Sequence, residues 1–194
     1  MAAETETESA MALATEQWLH PDSRPLGADE AAVCGKTLLV RSVGEPFRTT
    51  MSVSLRRIAS ARHWQLYEDQ RIAVEAGFGV GVDEAVRRVR RLREGTERTG
   101  VDLYLAHDER RLVGAVGRFR LPVPDRPWAR LQEVDVFPSW RGFGYGDALL
   151  AAAIGLLSDE GCASVVVGAD EDDWPLHWYR RRGFRDAVRV PLTR

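Results

Sequence analysis

The sequence predicts a mixed α/β fold that follows an N-terminal extension. From Met51 onward the hydrophobic residues alternate between strand and helix periods, in the order βααβββαβαβ. Of the 194 residues, 44% are hydrophobic, which is enough for a sizeable core. A strand, a helix and a second strand follow one another near the C-terminus, and this order implies a parallel crossover within a mixed sheet. We therefore expect one domain over residues 47–194 and a partly flexible extension over residues 1–46.

One strand and two helices are predicted at the start of the domain. Apolar residues alternate with serines in Met51–Leu55, which indicates a half-buried strand. A helix is predicted over Ala61–Ala76 and a better one over Asp83–Glu94. The apolar face of the second helix comprises Val82, Val86, Val89 and Leu92.

Five strands and two further helices complete the domain. Strands are predicted over Val101–His107, Leu112–Leu121 and Leu131–Phe137, with a proline-rich loop at Pro122–Pro127. The elements that follow are a helix (Asp147–Glu160), a strand (Cys162–Gly168), a helix with Asp173 as its N-cap (Asp173–Arg182) and a strand (Phe184–Leu192).

The N-terminal extension has weaker signals. Its composition indicates a short helix over Ala10–Leu19, a linker over Pro21–Ala31 and an extra strand near Thr37–Ser42. Lys36 is the single lysine among the 27 basic residues and stands in a loop-like context, away from other signals.

The charge balance and the cysteines exclude several classes of protein. The formal net charge of −2, from 27 basic and 29 acidic residues, argues against a nucleic-acid partner, and the arginines of Arg87–Arg93 fit a solvated helix face better. No apolar run approaches the roughly 20 residues of a membrane span. Cys34 and Cys162 lack the spacing of zinc ligands, so we expect no metal site. Because the first residues are acidic rather than basic, we expect a cytoplasmic protein.

The chemistry is concentrated where the Leu131–Phe137 strand ends. After Pro138 comes the glycine-rich segment Arg141-Gly142-Phe143-Gly144-Tyr145-Gly146, which leads directly into a helix. Glycines let the backbone approach a ligand, and the free amides at a helix N-terminus attract an anion, to which Arg141 adds its charge. The segment lacks the Walker pattern, and Asp147 stands where a dinucleotide-binding loop has its third glycine. It therefore predicts a site for another phosphate-bearing cofactor.

This segment, with its Arg-x-x-Gly-x-Gly pattern, resembles the GNAT superfamily of acetyl-CoA-dependent N-acyltransferases. A second segment, Trp178-Tyr179-Arg180-Arg181-Arg182-Gly183-Phe184, is similar to the family's Leu-Tyr-x-x-x-Gly-Phe. The resemblance covers roughly Met51–Leu192. It implies a mostly antiparallel central sheet with a βαβα crossover in its C-terminal half and helices on both faces.

The resemblance also implies a cofactor, acetyl-CoA, and residues that bind it. The backbone of Val134, Asp135 and Val136 would pair with the pantetheine amides. Arg141 and the amides of five residues would hold the diphosphate; these are Gly142, Phe143, Gly144, Tyr145 and Gly146. Tyr179 would protonate the departing thiolate, since a phenol with a pKa of about 10 stays protonated at neutral pH. The alternative for Tyr179 is a half-buried aromatic residue of an amphipathic helix.

Two acidic residues are candidates for the general base that acylation of an amine requires. Glu133 and Asp135 stand on the same face of their strand, opposite Val134 and Val136. In similar proteins a strand carboxylate near this point often takes the proton, and Glu133 is the preferred candidate here. The alternatives are an exposed sheet face or salt bridges to nearby arginines.

Other polar residues near the predicted site have both functional and structural interpretations. Asp170–Asp173 follows the next strand and is either an acidic lip that recruits a cationic amine or a helix cap. Asp172 departs from the asparagine that the family often has there. His177 could be a proton shuttle or an exposed histidine, and Trp140 and Trp174 line the substrate cleft or simply pack.

The implied function is transfer of an acetyl group from acetyl-CoA to a primary amine of a small molecule, by direct attack in a ternary complex. The alternatives are an acyl-CoA-binding module without turnover and an acetyltransferase of protein N-termini or lysines. The segment Ala61–Gly81, which would shape the acceptor pocket, carries no recognisable chemistry. Because only one strand follows Phe184, the usual sheet lacks a strand, and we hypothesise that Thr37–Ser42 or a second copy in a homodimer covers that edge.

Overall fold

The computed structural model describes residues 2–121 and 127–192. The predicted loop Pro122–Pro127 lies outside the described residues except for Pro127. The helices are α1 (Ala2–Leu19), α2 (Ala61–Gly77), α3 (Val82–Thr99), α4 (Tyr145–Asp159) and α5 (Trp174–Arg180). The strands are β1 (Gly35–Ser42), β2 (Ser54–Arg57), β3 (Asp102–Asp108), β4 (Arg111–Leu121), β5 (Trp128–Val136), β6 (Ser164–Asp170) and β7 (Arg185–Pro191).

The strands form one mixed sheet, which confirms the predicted fold class. Across the described residues its order is β2-β3-β4-β5-β6-β1-β7. β5 and β6 are parallel, joined through α4, as the predicted crossover requires. The pairs β2–β3, β3–β4, β1–β6 and β1–β7 are antiparallel.

The chain divides into two compact units. The first comprises Met1–Phe47, Arg120–Arg130 and Leu157–Arg194, and the second comprises Arg48–Phe119 and Leu131–Leu156. The division falls within β5, so the first three residues of this strand belong to the first unit and the remainder to the second.

In the first unit, β1 lies inside the sheet. It is antiparallel to both neighbours, with Lys36 opposite Asp170 of β6 and Val190 of β7. The hypothesis that Thr37–Ser42 covers the edge left by the missing strand is confirmed, because β1 pairs with β6 along residues 36–42. β1 also pairs with β7, which forms the edge of the sheet. The hydrophobic residues Leu38–Val40 of β1 are fully buried, as is typical of a strand in the interior of a sheet.

The helix α1 starts earlier than the predicted Ala10–Leu19. Its polar first turns are held by side-chain contacts to β7, because Ser9 Oγ donates to the Ala187 carbonyl (2.7 Å) and Glu8 pairs with Arg185 (2.9 Å). Its second half packs Ala12 into an apolar cluster whose other buried members are Leu38, Val40, Val166 and Val190.

A buried network of charges joins α1 to β1 and β5. The carboxylate of Glu16, fully buried, accepts from Arg130 Nη2 at 2.6 Å and from Lys36 Nζ at 2.9 Å. Arg130 also donates to Thr15 Oγ1 at 3.2 Å. A side chain at Gly168 would put its Cβ 2.7 Å from Arg130 Nη2, so the absence of a side chain at Gly168 makes room for this guanidinium. Lys36 is therefore a structural residue of a strand, and its assignment to an isolated loop is wrong.

The charges around Glu16 determine how it titrates. Burial alone would raise the pKa of its carboxyl, but Arg130 and Lys36 outweigh this effect and hold the pKa below its ordinary value. The resulting stability is present above the ordinary pKa of a glutamate, about 4.3, and is lost as the pH falls through the lowered value.

The second unit has its own core between α2 and the sheet. Its buried members are Tyr67, Val74, Leu103, Leu105, Ala115 and Phe137. Two expectations are wrong here. The first strand is Ser54–Arg57 rather than Met51–Leu55, because its pairing with β3 starts at Ser54. The predicted apolar face of α3 is correct for Val89, which is buried, and for Leu92, which packs against this core, but Val82 and Val86 are exposed and Ala85 is buried in their place.

We predict that Glu16→Gln lowers the free energy of unfolding by about 3–5 kcal/mol, because it leaves the buried Arg130 and the partly buried Lys36 without their counter-ion. Urea denaturation measures the effect. The matched control is Glu8→Gln on the same helix, whose partner Arg185 is half exposed, and it should cost less than about 1 kcal/mol. Equal losses in the two variants would contradict a special role for the buried carboxylate.

Candidate active site

The predicted cofactor strand extends beyond its pairing with β6. This pairing consists of Trp128, Ala129 and Arg130, so Val134, Asp135 and Val136 lie further along β5 than the paired residues. Just after β5, Phe137 donates its amide to the Val113 carbonyl at 3.0 Å. The role of Val134–Val136 in binding pantetheine amides stays a prediction. It requires a segment of β5 that continues beyond the residues paired with β6.

The glycine-rich segment forms an open loop at the N-terminus of α4. After a 3-10 turn at Pro138–Trp140, Gly142 and Gly144 adopt φ angles of 82° and 86°, in the left-handed region that favours glycine. In the described part of the chain, the amides of residues 142–146 have no backbone acceptor, and the next amide, that of Asp147, donates to the Gly144 carbonyl (3.2 Å). The loop therefore presents a row of donors at the positive end of a helix of 15 residues.

The donors of this loop suit a phosphate-bearing ligand. An added Cβ at Gly142 would meet no atom within 4 Å, so the space beside the backbone is open. Arg141 is exposed, donates Nε to the Val136 carbonyl at 3.0 Å, and places its guanidinium 5.9 Å from the centre of the Phe78 ring. Free amides, a helix N-terminus and a held cation are the donor set that phosphates require.

The side chains of this loop differ in their surroundings. Phe143 is exposed, whereas Tyr145 is buried and donates its hydroxyl to Asp108 Oδ2 at 2.5 Å. This hydrogen bond raises the pKa of Tyr145 and ties the first turn of α4 to the β3–β4 turn. Trp140 stacks edge-on against Tyr145, with ring centroids 5.9 Å apart, so the packing interpretation of Trp140 is confirmed.

The two candidate bases contact one arginine of α2. Arg71 Nη2 lies 3.4 Å from Glu133 Oε2, and Arg71 Nη1 makes a close ion pair with Asp135 Oδ2. The same guanidinium lies 2.9 Å from Glu75 Oε1. The structure thus confirms that Glu133 and Asp135 share a face, and it also confirms the alternative that they form salt bridges. Glu133 has a φ of 49°, a strained conformation for a residue with a side chain.

The surroundings give Glu133 the titration expected of a proton acceptor. Burial raises the pKa of its carboxyl, and the negative charges of Asp135 and Glu75 act in the same direction, while Arg71 opposes them. Burial alone would lower the pKa of Arg71, but the carboxylates around it raise the pKa above its ordinary value. Arg71 therefore remains a cation, and Glu133 takes up a proton more readily than an ordinary glutamate.

Sequence reasoning missed the residues of α2 that complete this cluster. Tyr67, Arg71 and Glu75 follow one another at four-residue spacing, and this spacing puts them on one helix face. The expectation that Ala61–Gly81 carries no recognisable chemistry is therefore wrong. Tyr67 is fully buried and its hydroxyl has no hydrogen-bond partner among the described residues, which costs about 1–3 kcal/mol.

Tyr179 lies in the first unit, near the C-terminal end of α5. Asp173 accepts from the Trp174 amide at 2.7 Å, which confirms it as the N-cap. Tyr179 is buried rather than half-buried, with its ring 4.8 Å from Trp178 and 5.3 Å from Phe184, and it interacts electrostatically with Arg130.

The predicted acidic lip is explained by structural contacts. Glu171 pairs with Arg189 and accepts from Thr37 Oγ1 at 3.1 Å, and Asp172 accepts from Cys34 Sγ at 3.1 Å. His177 is exposed. Trp174 is also exposed.

The comparisons with known proteins identify the family. A profile of the Acetyltransferase (GNAT) family matches residues 65–184, more than half of the 194-residue chain. The chain therefore belongs to the GNAT acetyltransferase family. No match to a curated protein was found.

Solved structures share the fold at low sequence identity. A conserved protein of unknown function from Staphylococcus epidermidis has a TM-score of 0.63 at 14% identity, over 91% of this chain and 64% of that protein. A candidate acetyl transferase from Pyrococcus furiosus has a TM-score of 0.57 at 20% identity (73% and 99% covered). A GCN5-related N-acetyltransferase from Ralstonia eutropha has a TM-score of 0.50 at 19% identity (74% and 95% covered). At these identities the similarity shows the fold alone.

Two features are absent from the described residues. None of their helices has the length and hydrophobicity needed to cross a membrane. No group of three or more His, Cys, Asp or Glu side chains among them is arranged to hold a metal ion.

We predict that Gly142→Ala lowers the free energy of unfolding by about 1 kcal/mol, because alanine is strained at a φ of 82°. Thermal unfolding measures the change. The matched control is Gly155→Ala inside α4, where the added Cβ meets nothing and helix propensity should stabilise the chain by about 0.5–1 kcal/mol. A stabilising Gly142→Ala would show that the loop does not need its left-handed backbone.

Proposed function

We propose that this chain transfers an acetyl group from acetyl-CoA to a primary amine of a small molecule, by direct attack in a ternary complex. The observation that carries the proposal is the open loop of residues 141–146, with its unpaired amides and two left-handed glycines at the start of α4. Family membership supports an acyltransferase, and the local geometry supports a phosphate-bearing cofactor in particular.

Each group of this chain has a defined task in the proposal. The amides of residues 142–146 and Arg141 bind the diphosphate, and the backbone of Val134–Val136 aligns the pantetheine amides. Bound acetyl-CoA supplies an activated thioester. Glu133 accepts a proton from the acceptor amine, for which its raised pKa is suited. Tyr179 donates its phenolic proton to the departing thiolate, and Arg130 stabilises the phenolate that remains.

Calorimetric titration tests the proposal, with acetyl-CoA, CoA and ATP as ligands. We expect micromolar binding of the two CoA species and none of ATP, followed by thiol release when an amine is added. CoA binding without release for any amine or peptide would indicate an acyl-CoA-binding module. Release with peptides alone would indicate a protein acetyltransferase, and absence of CoA binding would overturn the proposal.

We predict that Tyr179→Phe binds acetyl-CoA normally but turns over at least about 100-fold more slowly, because the general acid is lost. Assays of CoA thiol release at saturating acetyl-CoA measure the turnover rate. Tyr104→Phe is the control, since this buried tyrosine of β3 accepts from Arg118 and has no part in the proposed reaction. Comparable rates in the two variants would remove Tyr179 from the mechanism.

The pH profile of kcat/KM tests Glu133. A base must be ionised, so the rate should fall as the pH drops through the pKa of Glu133, which lies above the ordinary glutamate value of about 4.3. Glu133→Gln should lower the rate about 100-fold and abolish this acidic limb. The control Glu84→Gln changes an exposed acid of α3 and should leave the profile intact. An unchanged limb in Glu133→Gln would assign the base to another group.

A further inference from the structure

We infer that Tyr67, Arg71 and Glu75 of α2, with Glu133 and Asp135 of β5, form an acceptor pocket selective for a cationic amine that has no carboxylate beside it. This cluster is called the α2–β5 pocket below. The inference rests on the proposed function, because it names the class of amine that Glu133 would deprotonate.

The α2–β5 pocket has more negative than positive charge. Its three carboxylates contact two cations within the described part of the chain, Arg71 and Arg88. Arg88 lies on α3, is half exposed, and contacts Glu75 at 3.1 Å. Arg71 is thus shared by all three acids, and one negative charge is left uncompensated. An ammonium group would supply the missing positive charge.

The hydroxyl of Tyr67 is an independent sign of a ligand. Its side chain is fully buried, its oxygen has no hydrogen-bond partner among the described residues, and the charged group that acts on it most strongly is Glu133. Native proteins rarely leave such a group unpaired. An amine can satisfy it, since an amine offers an N–H to accept from and, once deprotonated, a lone pair to donate to.

The same contacts disfavour an amino acid as acceptor. A carboxylate next to the attacking amine would face Glu133 and Asp135, and the guanidinium of Arg71 is already engaged by three acids. The proton balance is simple: the ammonium gives one proton to the Glu133 carboxylate, which leaves a neutral amine and a protonated glutamic acid. Arg71 remains charged throughout.

Pairs of ligands that differ by one carboxylate test the selectivity. The probes are 2-phenylethylamine against L-phenylalanine and tyramine against L-tyrosine, titrated into the CoA-saturated chain and assayed for thiol release. We expect each amine to bind at least about tenfold more tightly than its amino acid. Equal affinities, a preference for the amino acids, or no binding of either amine would overturn the inference. Binding of CoA in the same sample reports separately on the proposed function.

The Tyr67→Phe variant separates ligand binding from a structural role. Because the hydroxyl has no hydrogen-bond partner among the described residues, its removal should leave the melting temperature unchanged or higher. The dissociation constant of the accepted amine should rise about tenfold, the value of one lost hydrogen bond. Tyr104→Phe is the matched control, and its amine affinity should not change. A lower melting temperature with unchanged amine affinity in Tyr67→Phe would assign this tyrosine to the core alone.

A second pair of variants tests the charge of the pocket. Glu75→Gln removes one of the three carboxylates, whereas Glu84→Gln removes an exposed carboxylate that also contacts Arg88. We expect Glu75→Gln to reduce the preference for amine over amino acid about tenfold and Glu84→Gln to leave it unchanged. An equal effect of both variants would mean that long-range charge, rather than the α2–β5 pocket, selects the acceptor.

Discussion

The buried carboxylate of Glu16 is the constraint on which the first unit depends. It is fully inaccessible and accepts from a buried arginine of β5 and the single lysine of the chain. Removing a charge from water is costly unless partners surround it. Helix α1 and strands β1 and β5 must therefore be placed together before Glu16 and Arg130 can be buried. This requirement explains why the N-terminal segment is part of the sheet unit rather than an appendage, with β1 between β6 and β7.

In the second unit, the balance of charges around a buried glutamate shifts its pKa in the opposite direction. Glu16 has two cations for one carboxylate, and the pKa of its carboxyl is lowered. Around Arg71 three carboxylates contact two cations, Arg71 and Arg88, and burial with like charges raises the pKa of Glu133. A carboxylate with surplus cations is a structural anchor, whereas one with too few is ready to take a proton. The two clusters differ in their count of partners and not in their residue types.

What the sequence could predict follows from the range of the interactions involved. The glycine loop and the α5 cap are local patterns, so Gly142, Gly144 and Asp173 were found from spacing alone. The spacing of hydrophobic residues predicted most helices and strands correctly. It was wrong for the bounds of β2, which is an edge strand, and for the buried face of α3, which depends on the neighbouring helix. The pairing of Glu16 with Arg130 joins residues more than a hundred positions apart, and no local period records it.

The proposed acceptor site depends on both a local sequence pattern and a long-range contact. A diphosphate is bound mainly by backbone amides, so its loop keeps a recognisable motif whichever amine is acetylated. An acceptor is selected by side chains, which can change while the fold persists. In the proposed pocket of this chain those side chains recur every four residues along α2. This spacing acquires a functional interpretation only when β5 places Glu133 and Asp135 against Arg71. The identity of the acceptor is therefore to be sought in the charges of α2 rather than in the family motif.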